Sequence, residues 1–149
     1  MEKPNEKQEN RGQNKQIDVR SKLNLKIDEK TNDLACRYIV SYIKESRDKI
    51  DFRILMSSIL AQIGDACITS TDKTQEHTML KIMKGYLNRK KEELNKNENM
   101  LINRDVVLDT CIQYLRIIAQ DALNEDNYGE WIKDRIELFI NKIQEFYNE

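Results

Sequence analysis

The basic side chains best placed to bind a ligand lie in residues 80–97, where six basic residues accompany only two acidic ones. An α-helix turns by about 100° per residue, so one narrow stripe beside its apolar arc carries Lys81, Lys84 and Lys91. A row of cations on a helix can neutralise successive phosphates of a nucleic-acid backbone. The sequence therefore predicts a phosphate-binding helix with five candidate contact residues: Lys81, Lys84, Arg89, Lys90 and Lys91.

A solvated helix face explains the same charges without any ligand. Glu92 and Glu93 lie in the same stretch, and Arg89 falls on the side of the helix opposite the stripe. Lys90 points along the apolar arc, so we expect the helix to extend past the core at that position. From the sequence alone, phosphate binding and a solvated face both stay open for this helix.

No combination of residues in the sequence predicts catalysis or a bound metal. The single histidine, His77, has no cysteine or aspartate at ligand spacing, whereas a zinc site needs three or four ligands. The glycine-rich phosphate-binding motifs and the serine nucleophile motif are also absent. We therefore expect a protein that is not an enzyme and that has no cofactor and no metal site.

The overall charge argues against a dedicated polybasic nucleic-acid binder. The 149 residues, a length that suggests a single domain, carry a net charge of −1. The charge is uneven, because residues 106–149 contain four basic and nine acidic side chains. The basic middle and the acidic end could attract each other within one fold, or they could bind separate partners.

The cysteines and the N-terminus favour a soluble, reduced, cytoplasmic protein. The three cysteines, Cys36, Cys67 and Cys111, form no Cys-x-x-Cys pair, and each falls in a helical apolar pattern, as small buried side chains do. The first residues lack the apolar core of a secretory signal. No apolar run approaches the roughly 18 residues that cross a membrane, so we expect no membrane partner.

Apolar residues recur at helical spacing in five segments, which short polar stretches separate. The pattern of the first segment includes Leu34, Tyr38 and Tyr42. The other helices are expected at about 50–67, 75–97, 103–122 and 128–143. Short connections place consecutive helices side by side and antiparallel. The sequence thus predicts an all-α protein, a compact bundle of about five antiparallel amphipathic helices in residues 31–149.

Residues 1–30 predict a disordered N-terminal arm. They hold the only proline, many asparagine, glutamine, lysine and glutamate residues, and no aromatic residue. Within them, apolar and polar residues alternate at Leu23, Leu25 and Ile27. This alternation is typical of a short strand or of an arm that docks on a partner, but we favour a plain tail.

Three blocks of the sequence resemble the YqeY-like family, which is related to the tail domain of the B subunit of tRNA-dependent amidotransferases. The block "RDKIDFRILMSSIL" resembles a charged turn before an apolar helix, with Arg53 near the helix start. The block "LKIMKGYLNRKKEEL" resembles a lysine-containing helix, and "CIQYLR" resembles a Tyr-Leu-Pro segment. In the last block Arg116 stands where the family has proline, so the chain can continue there as a helix.

The resemblance implies a helical accessory domain that associates with tRNA or another RNA and has no catalytic centre of its own. It also implies that the lysine-containing helix contacts phosphate, with Lys84, Lys90 and Lys91 in comparable places. The glycine–arginine turn that follows this helix in the family is absent, and the C-terminal three-helix part of the family is missing or shortened.

A second resemblance favours a different function. The segment "NYGEWI", residues 127–132, resembles a helix start in apoptosis-regulator bundles, including viral ones. It implies the alternative of a viral or bacterial regulatory bundle that binds a host or partner protein. We expect Trp131 in the core, but an exposed Trp131 would form a partner groove together with Tyr128. Either function allows a homodimer.

Overall fold

The computed structural model describes residues 26–27, 29–68, 74–125 and 128–149, and in these residues it contains five α-helices. They are α1 (Glu29–Glu45), α2 (Phe52–Asp65), α3 (Thr74–Asn95), α4 (Arg104–Asp121) and α5 (Gly129–Tyr147). A short 3-10 helix, Ala122–Asn124, follows α4. The prediction of a compact all-α bundle of about five helices is confirmed.

Side-chain caps fix where α2 and α4 begin. The carboxylate of Asp51 accepts a hydrogen bond from the backbone N–H of Arg53 at 2.9 Å, and Asn103 Oδ1 accepts one from the N–H of Asp105 at 2.8 Å. Such caps satisfy N–H groups that have no partner within the helix. α4 then runs without a break through Arg116, which confirms that the chain stays helical where the YqeY-like family has proline.

Within the described residues, four strands of two or three residues join the loops. β1 (Lys26–Ile27) pairs antiparallel with β3 (Cys67–Ile68), and β2 (Lys49–Asp51) pairs antiparallel with β4 (Leu101–Asn103). The second pair ties the connection between α1 and α2 to the connection between α3 and α4. Strands this short fall below the length at which alternation predicts a strand, so no pattern of residues indicated β2 or β4.

The predicted arm, residues 1–30, lies mostly outside the described residues, which begin at Lys26. The described part departs from the plain tail that the sequence favoured. Ile27 belongs to β1, which is the strand alternative, and α1 begins at Glu29. The domain boundary expected at residue 31 therefore falls inside α1.

Apolar side chains from all five helices form one core. α5 packs against α1 and α4, while α2 packs against α3 and also contacts α4 and α5. The core includes Ile39, Met56, Tyr86, Leu115 and Phe139, each at most 1% exposed. Because α3 packs chiefly on α2, much of its surface is left for solvent or for a ligand.

The cysteines whose side chains are described are small buried groups, as predicted. Cys36 and Cys111 are fully buried and unpaired. Burial raises the pKa of each thiol to about 12, so neither is a thiolate at neutral pH. The side chain of Cys67 lies outside the described part of the structure.

No helix within the described ranges combines the length and the apolar character needed to cross a membrane. The same ranges contain no group of three or more histidine, cysteine, aspartate or glutamate side chains placed to hold a metal ion.

Candidate interaction surfaces

The five candidate cations of α3 divide into two groups. Lys81 and Lys84 are exposed and Lys91 is half-buried, and none of the three forms an ion pair with another described residue. We call these three residues the lysine flank. Carboxylates hold the other two cations, Arg89 and Lys90.

Lys90 joins α3 to the end of α4, and Arg89 joins it to Glu125, just beyond the 3-10 helix. Arg89 Nη2 lies 2.8 Å from Glu125 Oε1, and Lys90 Nζ lies 2.7 Å from Asp121 Oδ2. The basic middle and the acidic end of the chain thus attract each other within the fold. Leu94, one turn beyond Lys90, is only 4% exposed, so the expectation that the helix extends past the core at Lys90 is wrong. The neighbouring carboxylate offsets the charge of each cation, which weakens the attraction of either one for a phosphate.

The buried hydroxyl of Tyr86 completes this junction. It donates a hydrogen bond to the carbonyl of Ile118 and lies 3.3 Å from Asp121 Oδ2. The hydrogen bond from Lys90 and its positive charge lower the pKa of Asp121. Burial, followed by the charge of Asp121, raises the pKa of Tyr86. The junction therefore contains a neutral phenol and an ionised carboxylate at neutral pH, and its role is structural.

Two residues of the lysine flank, Lys84 and Lys91, border a cleft of about 130 Å³ between α2 and α3. The polar and small residues that line the cleft are Lys84, Asn88 and Lys91 from α3 and Ala61, Gly64 and Asp65 from α2. The aliphatic stem of Lys84 packs over Gly64, where a Cβ atom would lie 3.5 Å from the Lys84 Cγ. Two cations therefore outweigh a single carboxylate at this cleft, and the neutral amide of Asn88 adds a hydrogen-bond donor, so the cleft suits a negatively charged group.

A second surface, which the sequence did not indicate, lies on α1 and α2. One side of α1 carries Leu34, Tyr38 and Tyr42, spaced four residues apart, and Ile54 of α2 lies beside Tyr38 and Tyr42. We call these four residues the tyrosine face. Their exposed fractions are 60%, 61%, 41% and 64%, in chain order. The residues around the shallow depression between Tyr38, Tyr42 and Ile54 carry no charge.

The width of the apolar arc on α1 is the signal that could have revealed the tyrosine face. An amphipathic helix in a globular protein typically carries one apolar stripe about 100° wide. α1 has a buried stripe, which includes Ile39 and Ile43, and also the exposed stripe with Tyr38 and Tyr42. The helices that cover the buried stripe cannot also cover the exposed one, so the pattern indicates that a second apolar surface packs on α1.

The outer edge of α2 separates the two surfaces and borders both of them. Asp65 lines the cleft beside the lysine flank and also a shallow depression beside Leu34. Ala61 lines the cleft on one side of α2, and Ser58 lines the depression at Tyr38 on the other. α2 therefore stands between the two surfaces, with the tyrosine face on one side of its outer edge and the lysine flank on the other.

The candidate partner-groove residues Tyr128 and Trp131 face the core. Trp131 is 3% exposed, and the half-buried Tyr128 packs against core residues. Trp131 therefore lies in the core, as expected, and Tyr128 and Trp131 form no open groove. Asn127, the first residue of the segment that resembles apoptosis-regulator bundles, lies outside the described residues.

Arg53, in the first block that resembles the YqeY-like family, closes the end of α3. Its guanidinium donates hydrogen bonds to the backbone carbonyls of Asn95 and Asn97 and to Oδ1 of Asn99. Carbonyls at the end of a helix lack a partner within the helix, and a basic side chain can satisfy them. Arg53 thus fixes the end of α3 against α2.

Comparisons of the chain with protein-family models, with curated proteins and with solved structures found no match. The resemblances to the YqeY-like family and to apoptosis-regulator bundles therefore stay predictions. The tyrosine face and the lysine flank are the features from which function can be argued.

Proposed function

We propose that this protein is a non-catalytic protein-interaction module and that a partner protein docks on the tyrosine face. The main support is a group of four large apolar side chains, 41% to 64% exposed, on neighbouring positions of α1 and α2. Grouped exposed apolar side chains are typical of interaction sites, whereas single ones occur on any protein surface. Tyrosine is enriched at interfaces, because its ring can be buried while its hydroxyl still reaches water.

Removal of these side chains from water is the physical reason for docking. A large apolar side chain contributes about 1.5–3 kcal/mol when it is fully buried instead of exposed. The tyrosine face is also presented on helices that the core holds in place, through residues such as Ile39 and Leu55. A rigid surface loses little conformational entropy on binding, so more of the gain from burial is kept.

Selection from a displayed peptide library, with the full chain as bait, tests this proposal. We expect binders whose affinity falls at least tenfold for Tyr38→Glu and for Ile54→Glu, because a charge in an apolar contact loses its hydration. Ile117→Glu is the matched control, since Ile117 is 66% exposed and lies on α4. Binders that tolerate both changes on the tyrosine face, in variants that melt like the wild type, would contradict the proposal.

The lysine flank supports a second candidate function, the binding of tRNA or another RNA. Its three cations extend over about 15 Å of α3 and have no carboxylate partner among the described residues. This is also the function that the YqeY-like resemblance implies. Arg89 and Lys90, however, are held by Glu125 and Asp121, so the candidate phosphate contacts reduce to the lysine flank.

Anisotropy titration of labelled tRNA, at low and at physiological salt, tests this second candidate. Binding should weaken steeply with salt, because counterions are released, and the double variant Lys84→Glu/Lys91→Glu should lose it. The control Lys49→Glu/Lys96→Glu makes the same charge change at two exposed lysines outside the flank. If tRNA does not bind even at low salt, the lysine flank has no role in nucleic-acid binding.

A further inference from the structure

We infer that the partner segment on the tyrosine face is an acidic amphipathic helix, with apolar side chains against Tyr38 and Ile54 and carboxylates against Lys84 and Lys91. The inference rests on the proposed function, because it names the chemistry of the partner for the same surface. It also gives the lysine flank a role that does not require nucleic acid.

The tyrosine face and the lysine flank lie close enough for one helix to reach both. Packed helices lie about 8–10 Å apart, and a helix with its side chains is about 10–12 Å wide. A helix that rests between α1 and α2 therefore extends over the outer edge of α2 towards α3. That edge carries the small side chains Ser58 and Ala61, which let another helix approach closely.

The spacing of the apolar side chains favours a helical partner over an extended one. Leu34, Tyr38 and Tyr42 repeat every four residues, which is about 6 Å along α1. A partner helix with apolar side chains on one face presents anchors at a matching repeat. Strand addition needs a free sheet edge, and each strand of the described residues has only two or three residues.

Charge complementarity makes one flank of the partner helix acidic. Lys84 and Lys91 line the cleft across α2 from the tyrosine face and have no carboxylate partner among the described residues, in contrast to Lys90, which Asp121 holds. Asp65 is the only carboxylate among the residues that line the cleft. Charged groups at the rim of an interface mainly set orientation and association rate, so the acidic flank selects the partner while the tyrosine face holds it.

A second copy of the chain does not offer such a helix within its described residues. α5 contributes none of the exposed large apolar side chains of the described residues, because Trp131, Ile136 and Phe139 are buried. α4 exposes Val106 and Ile117, but these lie eleven residues apart and do not form the four-residue repeat of the tyrosine face. We therefore assign the partner helix to a different protein.

A peptide library of helix formers tests the inference with the full chain as bait. The peptides have about 18 residues, or five turns, with apolar residues at helical spacing and random residues at both flanks. Selected peptides should carry an excess of glutamate and aspartate on one flank. Their affinity should fall about tenfold for Lys84→Glu/Lys91→Glu, stay unchanged for Lys49→Glu/Lys96→Glu, and rise a few-fold for Asp65→Asn, which removes the opposing carboxylate.

The outcomes separate this inference from the proposed function. Selected peptides that are neutral or basic, or that bind Lys84→Glu/Lys91→Glu as well as wild type, overturn the acidic partner but leave docking on the tyrosine face intact if Tyr38→Glu still prevents binding. Selected peptides that bind Tyr38→Glu and Ile54→Glu normally overturn both. If the lysine variant loses tRNA binding and keeps peptide binding, the lysine flank serves nucleic acid and the inference fails.

Discussion

The inner and outer sides of α1 are both apolar, yet they have different surroundings. The inner side carries Cys36, Ile39 and Ile43, which are at most 1% exposed in a core shared with α5. The outer side carries Tyr38 and Tyr42, which border only a shallow depression. A helical apolar pattern therefore reveals how many sides of a helix can make contacts, but not which of those contacts form within the chain.

The cations of α3 also divide into two groups, those paired with a carboxylate within the fold and those that are not. Lys90 is held by Asp121, whereas Lys84 and Lys91 have no ion pair with the described residues. A positive side chain that is neutralised inside the fold supports stability, and one that is not neutralised remains available to a partner. Substitutions of the buried or neutralised residues should therefore change stability, whereas substitutions of the exposed or unneutralised residues should change binding.

The largest difference is expected between the two sides of α1. Ile39→Ala should lower the free energy of unfolding by about 2–5 kcal/mol, because it leaves a cavity in the core. Tyr38→Ala should change it by no more than about 0.5 kcal/mol, as is usual for a surface residue. Urea denaturation measures both. A large loss of unfolding free energy for Tyr38→Ala would mean that the outer side of α1 is covered in solution. The contrast between its two sides would then be wrong.

The next effect concerns the junction between α3 and α4. Tyr86→Phe removes the buried hydrogen bond to the Ile118 carbonyl and should cost about 0.5–1.5 kcal/mol of unfolding free energy. Tyr42→Phe removes a hydroxyl on the outer side of α1 and is the matched control, with little change expected. Equal stabilities of the two variants in urea would show that the junction contributes nothing measurable.

A smaller effect is expected from the dependence of stability on pH. The pKa of Asp121 is lowered in the folded state by Lys90, whereas an aspartate in an unfolded chain has a pKa of about 3.9. The contribution of Asp121 is therefore complete above that pH and is lost as pH falls through the folded-state value. Solvent screens this partly exposed pair, so we expect about 1 kcal/mol or less.

The measurement is the difference in unfolding free energy between the wild type and Asp121→Asn, followed from pH 7 down to about pH 3. This difference should shrink as the pH falls. Asp109→Asn, at an exposed aspartate on the same helix with no ion pair to the described residues, should give a small difference throughout. A difference for Asp121→Asn that stays constant with pH would argue against an ionic role for this carboxylate.

The smallest effect on stability is expected at the lysine flank. Lys84→Glu/Lys91→Glu should leave the melting temperature almost unchanged, whereas Arg89→Ala should cost about 0.2–1 kcal/mol through the lost ion pair with Glu125. Thermal melts followed by circular dichroism compare the two. Strong destabilisation by the flank variant would show that these lysines have a structural role, and their proposed availability to a partner would then be wrong.

The sequence predicted the five helices but not the short strand pairs. Helical periodicity is repeated over several turns, so it survives errors at single positions, and caps such as Asp51 and Asn103 fix the starts. The pairing of β2 with β4 joins residues about fifty positions apart over three residues each, so no local pattern could indicate it. The sequence left open an attraction between the basic middle and the acidic end, but no local pattern indicated that Glu125 and Asp121 are the partners of Arg89 and Lys90.

By itself, the sequence determined the number and order of the helices, the burial of Cys36 and Trp131, and the stripe of lysines on α3. Those properties depend on neighbours within one or two turns. Only the tertiary structure decided that Asp121 neutralises Lys90 and that Tyr38 stays exposed while Ile39 is buried. These outcomes depend on which helices pack together, and packing joins residues whose separation along the chain carries no local signal.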